Sequence, residues 1–375
     1  MIQRLYVNNY KCLVNFELHL QELSLLLGPS GVGKTAVLDI MYALRRLLSG
    51  DARVTDADTF PTRTLTRWQR QDLQIFEIDI RLEPGDFTYR LEVEHERPSK
   101  KARIHIERLV ADGRPLFECS QGEVKLYRDN HSPGPIYAAD WSESALARVA
   151  SRGDNTRLTS FLEFMRKVLV CGIHPPSIVT ESDSEAPLLE RDGRNFSDWY
   201  RHVLQERPDL VPEFTNTLKQ ALGGGLKGIR LERIGHETRA LMVAFVDRED
   251  MDPQESYELR FEEISDGQRA LVALYGLTQL SSDQGYTLFL DEPENYVALP
   301  EIQPWLMNLE DACGATLSQA VITSHHPELI DYLGGEHGVL LDKEISGVVT
   351  TRKPQVGADT DGLRLSELIA RGWEE

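Results

Sequence analysis

The chain holds four cysteines in 375 residues, Cys12, Cys119, Cys171 and Cys313, and no CxxC pair. A disulfide framework or a zinc hook needs cysteines at short, repeated spacings, so neither is expected. Also missing are an apolar run long enough to span a bilayer and a charged-then-apolar export segment at the N-terminus. Both absences point to a cytoplasmic chain without a membrane partner. Basic residues are in deficit, 41 Lys and Arg against 60 Asp and Glu, for a formal charge of -19. Because phosphate neutralisation dominates affinity for nucleic acids, this charge disfavours a broad nucleic-acid surface. Local clusters remain at Arg63, Arg67 and Arg70 around Trp68, and at Arg97, Lys100, Lys101 and Arg103. Solvated edges or protein contacts are the plainer reading of both, although Arg67 and Arg70 would also suit a basic channel in a dimer.

What the sequence does hold is a set of four motifs in a fixed order. Gly28-Pro29-Ser30-Gly31-Val32-Gly33-Lys34-Thr35 fits GxxxxGK[ST], between the apolar run Leu23 to Leu27 and the helix-like stretch Ala36 to Leu48. Its glycines let the backbone wrap an anion, so that amide hydrogens and the positive end of the following helix point at phosphates. An ATP or GTP site follows, with Lys34 on the β and γ phosphates and Thr35 on magnesium. Thr287 to Leu290 then reads as a buried strand ending in Asp291-Glu292-Pro293. Asp291 is expected in the Mg2+ shell and Glu292 is expected to polarise the attacking water, the mark of a hydrolase that positions its own water. A second buried run, Ala320 to Ser324, delivers His325, which from there can sense the γ-phosphate; His326 is adjacent and less favoured. Between these lies Ser265-Asp266-Gly267-Gln268, a helix start with Ser265 as N-cap, whose hydroxyl and amides make an anion site.

This ordered set resembles the heads of ABC-type ATPases, and within them the SMC/RecF-like and OLD-like branch. The opening Leu5-Tyr6-Val7-Asn8-Asn9-Tyr10-Lys11-Cys12-Leu13 resembles that branch's first strand and its Asn-Phe-Lys turn, and Asp291-Glu292-Pro293-Glu294-Asn295-Tyr296 resembles its DEPE variant. The resemblance covers about residues 1 to 50 and 255 to 345. It implies an α/β fold, an ABC-type P-loop ATPase head with a mixed central sheet, an antiparallel β lobe and a helical insertion. It also implies that Lys11 joins the nucleotide site, and that the Ser265 loop faces the γ-phosphate held by a second copy, in an ATP-sandwich homodimer. Ile264 and Asp266 depart from LSGGQ, and an acid beside a phosphate carries an electrostatic cost that leaves the hydrolysis rate open.

The intervening residues are not a rod. Pro84, Pro98, Pro115, Pro133 and Pro135 interrupt the heptads a long coiled coil would need. Alternation over 73 to 128, with a turn at Pro84-Gly85-Asp86, predicts an antiparallel sheet; 140 to 222 reads as helical, with Ser182-Asp183-Ser184-Glu185 a loop; 229 to 262 returns to strands. The expected division is 1–140 (N-terminal ATPase lobe), 141–228 (helical insertion) and 229–375 (C-terminal ATPase lobe). Gln69, Gln71 and Gln74 lie where a magnesium-sensing glutamine is sought, and none has a motif around it. Trp141, Trp199 and Tyr200 suit either a docking surface or ordinary core packing. Asp359-Thr360-Asp361 reads as a loop and not as the metal pair of an appended nuclease. Two functions remain open: an ATP-hydrolysing switch acting on a separate effector, a nuclease or toxin in anti-phage defence, and a RecF-like DNA-binding repair ATPase.

Overall fold

The computed structural model describes residues 1–223, 225–246, 256–281, 285–354 and 363–371. Asp359, Thr360 and Asp361 therefore lie outside the described residues. The chain divides into two compact units, Met1–Val168 with Val321–Glu375, and Leu169–Ala320. These are units of packing, whereas the breaks expected at 140 and 228 follow motif and composition.

In the first unit the predicted alternation becomes an eight-stranded antiparallel sheet. Its strands, in spatial order, are Phe16–His19, Ile2–Asn8, Leu73–Leu82, Gly85–Glu96, Lys101–Ala111, Arg114–Ser120, Glu123–Tyr127 and Pro133–Ala138. Period-two patterning buries Phe76, Ile78 and Ile80 on one face, with Phe76 opposite Leu91 and Ile78 opposite Tyr89. The helix Thr156–Arg166 lays Phe161 against this face, its ring centre 6.1 Å from Phe87 and 5.6 Å from Tyr89. A fully buried carboxylate, Glu107, pins the chain that follows: it accepts from the Tyr89 hydroxyl at 3.0 Å, the Ser144 hydroxyl, and the amides of Ala145 and Leu146 at 3.0 and 3.3 Å. Burial pushes its pKa up, and these donors pull it back.

The same unit contains the fully buried strand Leu23–Leu27, parallel to Gly338–Lys343, which pairs antiparallel with Val349–Arg352. Helix Lys34–Ser49 follows the glycine turn and ends at Gly50, whose φ of 76° closes the C-terminus through bonds to the Arg46 and Leu47 carbonyls. It starts two residues earlier than its apolar periodicity suggests because Lys34 and Thr35 already form its first turn.

The second unit shows where the helical reading of 140 to 222 is incomplete. Helices Phe196–Glu206 and Val211–Leu222 are present, but Val168–Cys171 is a buried strand beside Thr287–Asp291, and Glu181–Ser182 pairs with Arg239–Val246. A four-residue apolar run has no periodicity to separate strand from helix, and here β-branched Val168 and Val170 favour the sheet. Strands Leu226–Arg233, Arg239–Val246 and Ser256–Arg260 confirm the return to alternation. Phe196 stacks on Phe261 and Tyr200, with centroids 5.7 and 6.2 Å apart, and Gly276 closes against Phe196 and Trp199. Trp199 and Tyr200 are thus core residues, whereas Trp141 is exposed, with Arg103 over its ring.

Candidate functional site

The glycine turn is bent by contacts that exclude side chains. Gly28 sits at φ 135°, and a Cβ there would lie 2.3 Å from the Leu341 carbonyl oxygen. Gly33, at φ 118°, is pressed by Leu13 and by the Cys12 sulfur. Only glycine meets both demands. Lys34 is 5% exposed and donates from Nζ to the Gly28 and Pro29 carbonyls at 2.7 and 3.3 Å, so its ammonium lies inside the turn that Gly28 to Gly33 form. Pro29, Ser30, Gly31 and Thr35 are exposed while Val32 is buried beneath them.

Lys11 reaches this region from the first strand's end. It adopts a left-handed φ of 51°, donates its amide to the Thr64 carbonyl at 2.6 Å, and pairs through Nζ with Asp39, one turn into the helix after Thr35. The Cys12 thiol beside it touches the Val32 carbonyl at 3.6 Å; burial pushes its pKa up, while Lys343 and Lys11 pull it down.

The two histidines are told apart by what they do. His326 caps the helix Pro327–His337, its Nδ1 accepting from the Glu328 amide at 3.3 Å. His325 is exposed and lines a pocket of about 470 Å³ with Gly28, Pro29, Ser324, Leu341 and Asp342. The structure thus brings His325 and the start of the glycine turn to one pocket, within the first unit.

Ser265, Asp266, Gly267, Gln268, Asp291 and Glu292 belong to the second unit. Ser265 caps helix Asp266–Tyr275 in a reciprocal box: its hydroxyl accepts from the Gln268 amide at 3.2 Å, and the Gln268 carboxamide accepts from the Ser265 amide at 3.1 Å. Asp266 is paired with Arg269, one turn on, whose other arm donates to the Pro175 carbonyl at 3.0 Å. The acid's electrostatic cost is therefore offset by its own helix. Gly267 lies under the next motif, since a Cβ there would come within 2.8 Å of the Tyr296 carbonyl oxygen.

Strand Thr287–Asp291 ends in a strained loop. Glu292 and Tyr296 hold φ of 47° and 74°, a conformation that costs a β-carbon-bearing residue about 1 kcal/mol. Asn295 bridges it, its amide donating to the Glu292 carbonyl at 3.1 Å and its carboxamide to the Glu292 carboxylate at 3.0 Å. Asp291 packs its Cβ against Gly172. Asn295, Arg269 and Asp39 escape the motif reading. The first two stand three residues from the groups they engage, a spacing that could have flagged them.

The glutamine question is answered for Gln74 by burial. Its carboxamide donates to the Asn9 carbonyl and the Thr64 hydroxyl at 3.0 and 3.1 Å and accepts from His95 at 2.9 Å. That side chain is spent inside the sheet. Among the described residues no group of three or more His, Cys, Asp or Glu side chains is arranged to hold a metal. Thr35 in the first unit and Asp291 in the second each carry a hard oxygen donor of the kind magnesium takes.

Residues 23–331 match the family described as "AAA domain, putative AbiEii toxin, Type IV TA system". The chain belongs to this family. Among solved structures it is similar to an SMC head bound to the C-winged helix domain of ScpA, with a TM-score of 0.55 at 12% identity, covering 94% of this chain and 97% of that one. A second SMC head domain, from Thermotoga maritima, matches with a TM-score of 0.47 at 12% identity over 95% and 99% of the two chains. No curated protein matches the sequence. The fold of this AAA-family chain is that of an SMC/RecF-like, ABC-type P-loop ATPase, mixed α/β as the motif order implies. No helix among the described residues is long and apolar enough to cross a membrane.

Proposed function

We propose that the chain is a cytoplasmic ATP-hydrolysing switch: two copies close around two ATP molecules, open on hydrolysis, and through that cycle control a separate effector, a nuclease or toxin, in anti-phage defence. In this reading the amides of Gly28 to Thr35, with Lys34 and Lys11, take the phosphates, and His325 senses the terminal one. Thr35 and Asp291 hold Mg2+, which when bound neutralises charge on the phosphates. Glu292 takes the proton of the attacking water. Ser265, Asp266, Gly267 and Gln268 present a helix N-terminus to the γ-phosphate of the partner copy.

The observation that carries the reading is the finished state of that helix start. A serine-capped turn whose one acid is paired within the same helix presents the positive end of that helix without net repulsion, as an anion-binding surface must. The family description adds the toxin association, and the likeness to a head bound by another protein's domain is in keeping with a protein partner. The DNA-binding alternative loses support because Arg97 and Arg103 are engaged by Asp72 and Glu94.

The test is a set of three variants. Lys34→Ala is expected to abolish ATP binding. Glu292→Gln should bind ATP, lose at least about a hundredfold in turnover, and accumulate as an ATP-dependent dimer in light scattering. Ser265→Arg should bind ATP as a monomer and fail to pair. Full turnover by monomeric Ser265→Arg would refute the shared site, and native turnover by Glu292→Gln would refute the role of that carboxylate.

A further inference from the structure

His325 owes its place to the helix that follows it. The His326 amide donates to the Ser324 hydroxyl at 2.9 Å, and the His326 ring caps helix Pro327–His337, so the backbone on both sides of His325 is tied to that helix's first turn. Wherever the helix sits, His325 sits with it. One side of the helix packs on Leu27, the last residue of the strand that enters the glycine turn: a Cβ on Gly334 would lie 3.4 Å from the Leu27 Cδ1. Another side is covered by the short helix Leu365–Arg371, along the stripe Glu328, Asp331 and Gly334, three residues apart. Asp331 accepts from the Ser366 amide at 2.9 Å and so caps the short helix from outside. Arg364 lies 3.7 Å from the carboxylates of both Glu328 and Asp331, and Leu365 presses so closely on Gly334 that a Cβ there would come within 2.7 Å of it.

The ion pairs contribute little, since the Arg364 side chain is 67% exposed; burial of Leu365 and Leu368, at 7% and 2%, carries the contact. A helix of seven residues does not hold itself together in water, so its order comes from this seat. Its remaining side faces the site. Ser366, Ile369 and Ala370 form one wall of the 470 Å³ pocket that Gly28, Pro29 and His325 line from the other. The short helix therefore grips the element that carries His325 and also closes the space beside it. A group that hydrogen-bonds a reacting centre tolerates little displacement, and about 1 Å of misplacement caused by a remote change can cost about a hundredfold in rate.

Resting on the nucleotide reading above, we propose that helix Leu365–Arg371 is a clamp that holds His325 at its working distance from the terminal phosphate, with Leu365 and Asp331 as positioning residues. ATP affinity, which comes from Lys34 and the amides of the glycine turn, is independent of the clamp. Turnover is not.

The experiment measures ATP turnover and, by calorimetry, ATP affinity in the full chain. Leu365→Asp sets a third acid against Glu328 and Asp331 and should release the short helix, lowering kcat about tenfold while Kd for ATP stays within about twofold. Leu365→Met should keep native turnover, and Asp331→Ala, which loses the cap on the Ser366 amide, should fall about threefold. The losses in Leu365→Asp and His325→Ala should not multiply when the two are combined, because both remove one contact; a merely structural helix would give independent losses. Native kcat in both Leu365→Asp and Asp331→Ala, ATP affinity lost in step with kcat, or multiplied losses in the double variant would each overturn the clamp. His325→Ala separates this from the parent reading: it should bind ATP and lose at least about tenfold in turnover. Native turnover there would refute the sensor itself, whereas a loss there with none in Leu365→Asp or Asp331→Ala would refute the clamp alone.

Discussion

At the scale of single residues, the signature turn shows how a departure from a motif can be neutral. Asp266 would place a negative charge where a phosphate is expected, yet Arg269 engages it from one turn on, with only 13% of its own side chain exposed. Arg269 is also held by the Pro175 carbonyl, so the pair is fixed in place rather than swinging in solvent. Removing the arginine leaves the acid uncompensated at a helix N-terminus that, on the proposed reading, faces an anion. Arg269→Ala in the Glu292→Gln background should therefore weaken ATP-driven pairing about tenfold, roughly 1.4 kcal/mol. Adding Asp266→Asn should restore it, as measured by sedimentation equilibrium. If the second substitution restored nothing, charge compensation would not be what Arg269 supplies.

At the scale of elements, the antiparallel sheet is held at one corner by a buried polar network. Asn9 ends the first strand at φ 67° and bonds the Gln71 and Leu73 carbonyls at 2.9 Å each, while Gln74 links Asn9 and Thr64 to His95. Because the Gln74 oxygen accepts, His95 carries its proton on Nε2, leaving Nδ1 toward the Thr62 hydroxyl at 3.4 Å. Burial lowers the His95 pKa from 6.5 to about 4, with Asp72 opposing and Arg97 assisting. Between those values the unfolded chain binds the extra proton and the folded chain does not. The contribution is thus complete above about pH 6.5 and is lost as pH falls toward 4. Thermal unfolding followed from pH 7 to 4 should show the native chain losing stability more steeply than His95→Gln; parallel curves would count against it. Little of this corner is legible in the sequence. Alternation reveals the strands around Phe76 and Leu91, and glycine spacing reveals the tight turn before helix Lys34–Ser49, because both signals are local. The left-handed Glu292 answers to no such pattern, because the Tyr296 carbonyl that follows it packs over Gly267, distant in sequence, whereas the bond from Asn295 spans only three residues. The strand Val168–Cys171 was lost for the opposite reason, being too short to show a period at all.

At the scale of the whole molecule, the formal charge of -19 separates the two functions by the sign of a salt effect. Two acidic copies brought together repel one another, and that repulsion is screened as the Debye length shortens from about 30 Å at 0.01 M salt to about 10 Å at 0.1 M. Pairing on ATP should accordingly strengthen across this range in the Glu292→Gln chain. A clamp that works by gripping DNA must behave the other way, because each phosphate contact releases counterions and its affinity falls as salt rises. Turnover carries the same information in the native chain. If two copies share each site, activity per chain should rise with protein concentration until pairing saturates, and added DNA should change neither the plateau nor the midpoint. Pairing that weakens steadily with salt and tightens when DNA is added would remove the switch reading and favour the repair clamp, because net self-repulsion cannot produce that sign.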